Sequence, residues 1–185
     1  MTMRSALVVV DMLDDFVDGV LANPAAHDIV APIRGLATRA RSTAEWVVVY
    51  ANDAHEVSDV ELRVFPPHAM AGTPGGAVVE ELRPGHDDVV VPKRFYSAFT
   101  GSALEDELRA HDVGRLVLVG QHTDCCVRHT AYDAFVKGFE LAVCPDATTV
   151  FEPGSDEPVP ERQARAVEYL QTYYGARVVA SGEVD

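Results

Sequence analysis

The residues with the most chemistry in them stand at the ends of short apolar runs. Asp11 closes ALVVVD, Asp53 closes WVVVYAND, Lys93 follows VVVP, and Cys126 comes just after RLVLVGQHTDC. An acid, a second acid, an amine and a thiol are the parts of a nucleophilic site. The sulfur attacks, a carboxylate (Asp11) takes its proton, and a cation (Lys93) holds that carboxylate in place. Cys126 is placed at the start of a helix, where free backbone N–H groups and the helix dipole favour an anion. With Lys93 nearby, a thiolate is expected. A buried cysteine without such company behaves as a small hydrophobe, and Cys125 and Cys144 are read that way.

A second cluster lies in NDAHEVSDVELRVFPPH, where Asp53, His55, Glu61 and His68 are the donor types that bind Zn²⁺, Mn²⁺ or Fe²⁺. Spacing alone leaves a solvated acidic loop equally open. Phe16, Phe65, Tyr96 and Phe99 lie near these groups in sequence and either sandwich a flat ring or pack the core. His27, His86, His111 and His129 are read as solvated or structural, and the acidic loop Phe151–Pro160 carries no functional signal.

These side chains need a scaffold that brings run ends together. Ala6–Val10, Trp46–Tyr50, Val89–Val91, Leu116–Val119, Leu141–Val143 and Ala176–Val179 read as strands apolar on both faces, as parallel sheets require. Helices are expected at Ile29–Thr43, Ala77–Leu82, Ala103–His111, Cys126–Lys137 and Glu161–Tyr174. Ser102 with Glu105 forms a candidate capping box, and Gly114 and Gly138 stand where helices should end. The alternation predicts one α/β domain over residues 1–185. Its core is a doubly wound, mostly parallel six-stranded sheet with helices on both faces, a Rossmann-like three-layer arrangement. In such sheets ligands bind beyond the carboxyl ends of the strands, where the reactive residues stand. The Pro- and Gly-rich segment Ala54–Gly76 is long for a connection in a compact domain, a length usually associated with function.

The chain has 185 residues, 48% of them hydrophobic, enough for one sizeable core. Its formal net charge of −14 argues against binding nucleic acid or an anionic membrane. No apolar run approaches the roughly 20 residues of a membrane span. The N-terminus offers no signal-peptide cleavage site, and three cysteines without framework spacing suit reduced thiols. A cytoplasmic protein is expected.

Taken together, the motifs resemble the isochorismatase-like cysteine hydrolases, and within them the nicotinamidases. VVVDMLDDFVDG resembles the opening strand with the catalytic Asp, here Asp11; PKRFYSAFTGSALEDEL resembles the segment with the catalytic Lys, here Lys93. GQHTDCCVRHTAYDAF resembles the nucleophile turn, in which the Cys directly before Val attacks, here Cys126. D-x-H, then E, then FPPH followed by GTPG is similar to the nicotinamidase metal site. The resemblance therefore implies a divalent ion, Zn²⁺ first with Mn²⁺ or Fe²⁺ as alternatives, on Asp53, His55, Glu61 and His68. It implies a ring pocket of Phe16, Phe65 and Tyr96, with Phe65 where many nicotinamidases carry Trp. It also implies a cis peptide at Gln121–His122, oxyanion donors on the backbone of His122 and Cys126, and a homo-oligomer. His122 departs from the small or aliphatic residue common there. The implied reaction is hydrolysis of nicotinamide to nicotinate and ammonia through a thioester. The alternatives are a related amidase acting on a ureido or other small amide, a metallohydrolase with an incidental thiol, and a non-catalytic flavodoxin-like binding module.

Overall fold

The computed structural model describes residues 3–185. Its strands are β1 (Arg4–Val10), β2 (Trp46–Asp53), β3 (Val89–Lys93), β4 (Val113–Gln121), β5 (Glu140–Thr149) and β6 (Arg177–Val178). Its helices are α1 (Asp14–Val17), α2 (Ala26–Arg41), α3 (Leu104–Ala110), α4 (Cys126–Val136) and α5 (Val159–Tyr174). The strands form one parallel sheet in the order β3-β2-β1-β4-β5-β6. β1 and β4 lie at its centre, which is why Ala6 to Val10 and Leu116 to Val119 are buried on both faces.

One face packs Ala6, Val8, Val10, Leu116 and Leu118 against Leu104, Val127, Ala131 and Leu170 of α3, α4 and α5. The other packs Leu7, Val9, Val48 and Val117 against Ile29, Ile33, Leu36 and Ala37 of α2. Burying one such aliphatic side chain stabilises by about 1.5–3 kcal/mol, so each layer is held by its own apolar face. The strand order reverses between β1 and β4, and this switch point opens a crevice beyond their carboxyl ends. Gly120, at φ 98°, lets β4 pass close to β1 there, because a side chain would overlap the Val10 carbonyl. Among the described residues no helix is long and apolar enough to cross a membrane.

Three local expectations fail. No α-helix forms at Ala77–Leu82, where only a 3₁₀ turn spans Glu80–Leu82. The preceding residues are extended instead: Val78 bridges Leu13, and the Val79 N–H donates to the Met12 carbonyl. Gly114 does not end a helix but lies inside β4. The capping box does not close: Ser102 accepts the Leu104 N–H at 3.1 Å, while Glu105 turns outward to Arg109 and Lys137. Strand ends also extend past their apolar runs, so Asp53 and Lys93 belong to β2 and β3 and are paired in register.

Candidate active site

Asp11 follows β1 in a left-handed conformation, φ 51°, that only a few per cent of non-glycine residues adopt and that costs of order 1–3 kcal/mol. This turn places its carboxylate in the crevice. Lys93 Nζ lies 2.7 Å from Asp11 Oδ2 and 2.6 Å from Asp53 Oδ1, with all three residues buried. The Asp53 N–H donates to Asp11 Oδ1 at 2.7 Å, fixing the second oxygen. Cys126 begins α4, and ligand atoms of Cys126, Asp11 and Asp53 lie within 4.8 Å of one another. The expected acid, amine and thiol therefore meet.

Burial, reinforced by the Asp53 charge, pushes Asp11 up to about 7 despite Lys93. Burial opposes a charge on Lys93, but the two carboxylates hold it well above the ordinary lysine value. Cys126 differs from expectation. Its contact with the Cys125 thiol and its burial push it up, against the pull of Lys93. Burial and the neighbouring thiol thus favour the protonated sulfur, and Asp11 is a carboxylate close enough to take that proton. The peptide Gln121–His122 is cis. The Cys125 and Val127 N–H groups both donate to the His122 carbonyl, while among the described residues the N–H groups of His122 and Cys126 have no such acceptor.

Asp53, His55, Glu61 and His68 form the second cluster, all buried, with donor atoms within 4.8 Å of one another. His55 Nε2 stands 3.6 Å from Asp53 Oδ2 and 3.6 Å from Glu61 Oε2, too far for hydrogen bonds, and has no partner among the described residues. His68 Nδ1 lies 2.7 Å from the Pro66 carbonyl, which leaves Nε2 for the cluster. Burial opposes charge on His55, yet contacts with Asp53, Asp59 and Glu61 push it up to about 9. Burial and Asp53 push Glu61 up to about 7. A cluster that raises both its imidazole and one of its carboxylates is short of positive charge. A divalent ion would supply that charge and displace the protons. The donors and the orphaned nitrogen fit such an ion.

Between the clusters lies a cavity of about 230 Å³ whose walls include Phe16, Phe65, Tyr96, His122 and Phe151. Pockets for drug-sized ligands measure roughly 300–1,000 Å³, so this one suits something smaller. Phe16 packs edge-on to His68 and His122, with ring centroids 5.3 and 5.8 Å away. Phe99 is not at the wall; it packs in the core on Phe139 at 5.9 Å.

The isochorismatase domain model matches residues 5–182. The chain belongs to the isochorismatase family. N-carbamoylsarcosine amidase from Thermoplasma acidophilum superposes with a TM-score of 0.88 and 38% identity, over 99% of each chain. The nicotinamidase PncA from Bacillus subtilis gives 0.83 and 32%, over 96% of this chain and all (100%) of its own. The pyrazinamidase of Pyrococcus horikoshii, in complex with zinc, gives 0.83 and 29%, over 96% of this chain and 99% of its own.

This isochorismatase-family chain also uses residues that spacing did not reveal. Asp59 holds the other nitrogen of His55 at 3.0 Å and is itself held by Arg94 Nε at 2.9 Å. The (i, i+4) spacing of His55 and Asp59 was the available signal. Cys125 is on the cavity wall rather than in the core, and Phe151 and Arg162 close the far side. Arg162 reaches the Phe151 carbonyl at 2.5 Å and Asp124 at 3.1 Å. No local pattern could have shown that the loop after β5 folds back over the crevice.

Proposed function

We propose that the protein hydrolyses a small carboxamide, nicotinamide first, to the acid and ammonia through a thioester on Cys126. The observation that carries this reading is the buried Asp11–Lys93–Cys126 arrangement facing a small aromatic cavity whose opposite wall can hold a metal. Asp11 accepts the Cys126 proton as sulfur attacks the carboxamide carbon. The backbone N–H groups of His122 and Cys126 receive the oxyanion, a donor of this kind being worth about 3 kcal/mol of barrier. Asp11 returns the proton to departing ammonia, then takes one from the water that cleaves the thioester and passes it to the departing Cys126 sulfur. Lys93 remains charged throughout and keeps Asp11 oriented. Asp53, His55, Glu61 and His68 would hold the ion, zinc first as in the P. horikoshii relative; when bound, it supplies a Lewis acid that anchors an electron-pair donor such as a pyridine nitrogen. The amidase works on small molecules in the cytoplasm as a homo-oligomer.

A second substrate reading, a ureido amide, is favoured by one observation. His122 lines the cavity with a buried Nε2 that has no partner among the described residues, and Arg162 lies on the same wall. Such groups suit a substrate with more polar atoms than nicotinamide, and the T. acidophilum relative is an amidase of a carbamoyl compound. Ammonia release from nicotinamide and from an N-carbamoyl amino acid, with and without chelator, separates the two. Metal-dependent turnover of nicotinamide supports the first; turnover of the ureido compound alone replaces it with the second. Release from neither overturns both.

A further inference from the structure

The turn after β1 carries one acid that the mechanism does not use. Asp15 lies in α1, between Asp11 and the cavity residue Phe16, and is half-buried. Its Oδ2 accepts the N–H of Ala69 at 2.8 Å, from a segment distant in sequence. Ala69 directly follows His68 and is fully buried, with φ 45°, a conformation that alanine adopts only when its surroundings impose it. Its carbonyl accepts the N–H of His55 at 2.9 Å. A single residue thus joins Asp15 to the backbone of both histidines of the metal cluster.

The carboxylate sits in a fitted slot. A Cβ on Gly75 would overlap it, and so would a Cβ on Gly19, so two separate segments leave room for this side chain and no more. The Asp15 carbonyl also accepts the Leu21 N–H at 2.9 Å, and Leu21 lines the cavity. Tethers to a backbone next to a ligand are how outer groups orient metal ligands, and their loss typically weakens metal binding about 10- to 100-fold.

We propose that Asp15 is a positioning residue for the metal centre, its carboxylate holding the His68–Ala69 backbone so that His68 and His55 face the same ion. The proposal rests on the metal reading above, and its test reads the metal alone. Zinc affinity, and then manganese affinity, is measured by chelator competition on the full-length protein. Asp15→Ala should bind about 10- to 100-fold more weakly than wild type. Gly75→Ala, which displaces the carboxylate from a different segment, should do the same. Asp15→Asn keeps an acceptor oxygen and should recover most of the affinity. The thermal midpoint of each metal-free variant should stay within about 3 °C of wild type.

Unchanged affinity in Asp15→Ala overturns the proposal. So does an Asp15→Asn protein as weak as Asp15→Ala, which would make the effect one of charge rather than of the tether. A collapse of the metal-free midpoint in all three variants also overturns it, by making the role one of general folding. A wild-type protein that binds neither metal removes the metal reading and this proposal together, a result that none of the variant outcomes can imitate.

Discussion

The two halves of the site are built by different means. Asp11, Asp53 and Lys93 stand at the ends of adjacent parallel strands, where the sheet's own register brings Asp53 opposite Lys93. His55, Glu61 and His68 stand on a connection outside the sheet's strands, which has only a short backbone bridge of its own at His55 and Met70 and is otherwise held by side chains: Asp59 on His55, Arg94 on Asp59, Asp15 on Ala69. Strand ends confer position through the backbone ladder, which a surface substitution barely disturbs. A loop confers it through individual hydrogen bonds, each of which can be removed. Damage to the first half should therefore appear in the chemical step and in folding, and damage to the second in metal and substrate affinity.

The largest expected effect is that of Cys126→Ala. Removing the nucleophile should lower kcat by at least about 10⁴-fold, as losing one member of a cooperating catalytic set does elsewhere. Zinc affinity, measured by titration, should be unchanged. Retained turnover would mean that the sulfur is incidental and would point to metal-bound water as the attacking group.

Lys93→Met should come next and should break the first half in both ways. The lysine lies between two buried carboxylates, and removing one partner of a buried ion pair typically costs about 3–5 kcal/mol. Chemical denaturation should show that loss. Asp11, already raised, would rise further and fail as a base, so activity should be lost even where the variant remains folded.

Asp59→Asn should affect only the second half. Its carboxylate orients His55 from the nitrogen opposite the cluster, and zinc affinity should fall about 10-fold or more. At saturating zinc, kcat should stay close to wild type. A fall in kcat at full occupancy would show that the loop also shapes the chemical step.

The same difference decides what the sequence makes legible. The strands announce themselves because a parallel strand covered on both faces is an unbroken apolar run, and the reactive residue follows where the run stops. Asp11, Asp53, Lys93 and Cys126 could be placed from this alone. The isochorismatase-family motifs supply what periodicity cannot, and the donor set they imply on the loop does converge in the structure. Residues 77–82 misled because apolar and acidic residues in that mixture suit a helix; an extended pairing of Val78 and Val79 with the turn after β1 takes precedence. Asp15 and Phe151 make contacts distant in sequence or on a loop that folds back, which no periodic pattern announces, and Asp59 offers only its (i, i+4) spacing to His55. The Cys126 thiol is a related case. The helix terminus is visible in sequence, whereas the burial and the neighbouring sulfur that outweigh it are not.

Acid sensitivity separates the halves most finely. Asp11 acts as a base only when ionised, and burial and Asp53 place its pKa at about 7. With metal in excess the ion offsets the Asp53 charge, so kcat/KM should fall about tenfold per pH unit below an Asp11 value no higher than that, with a single-proton slope. Above it, activity should level off until another group titrates. The metal half responds to acid differently, since its ligands must lose protons to bind an ion and affinity falls as they regain them. Without added metal the same profile should become steeper than one proton, and excess zinc should return it to the single slope. The folding contribution has the opposite sign. A carboxyl raised from 3.8 to about 7 favours the folded state below pH 4, and that contribution is lost as pH rises through 7. Stability and activity should thus move in opposite directions across this window as far as Asp11 is concerned. An Asp11→Asn variant should remove that pH-dependent part of the denaturation free energy. A limb that persisted unchanged at saturating zinc in a variant of the metal loop would assign it to Asp11; a limb that moved with the loop would assign it to the metal half.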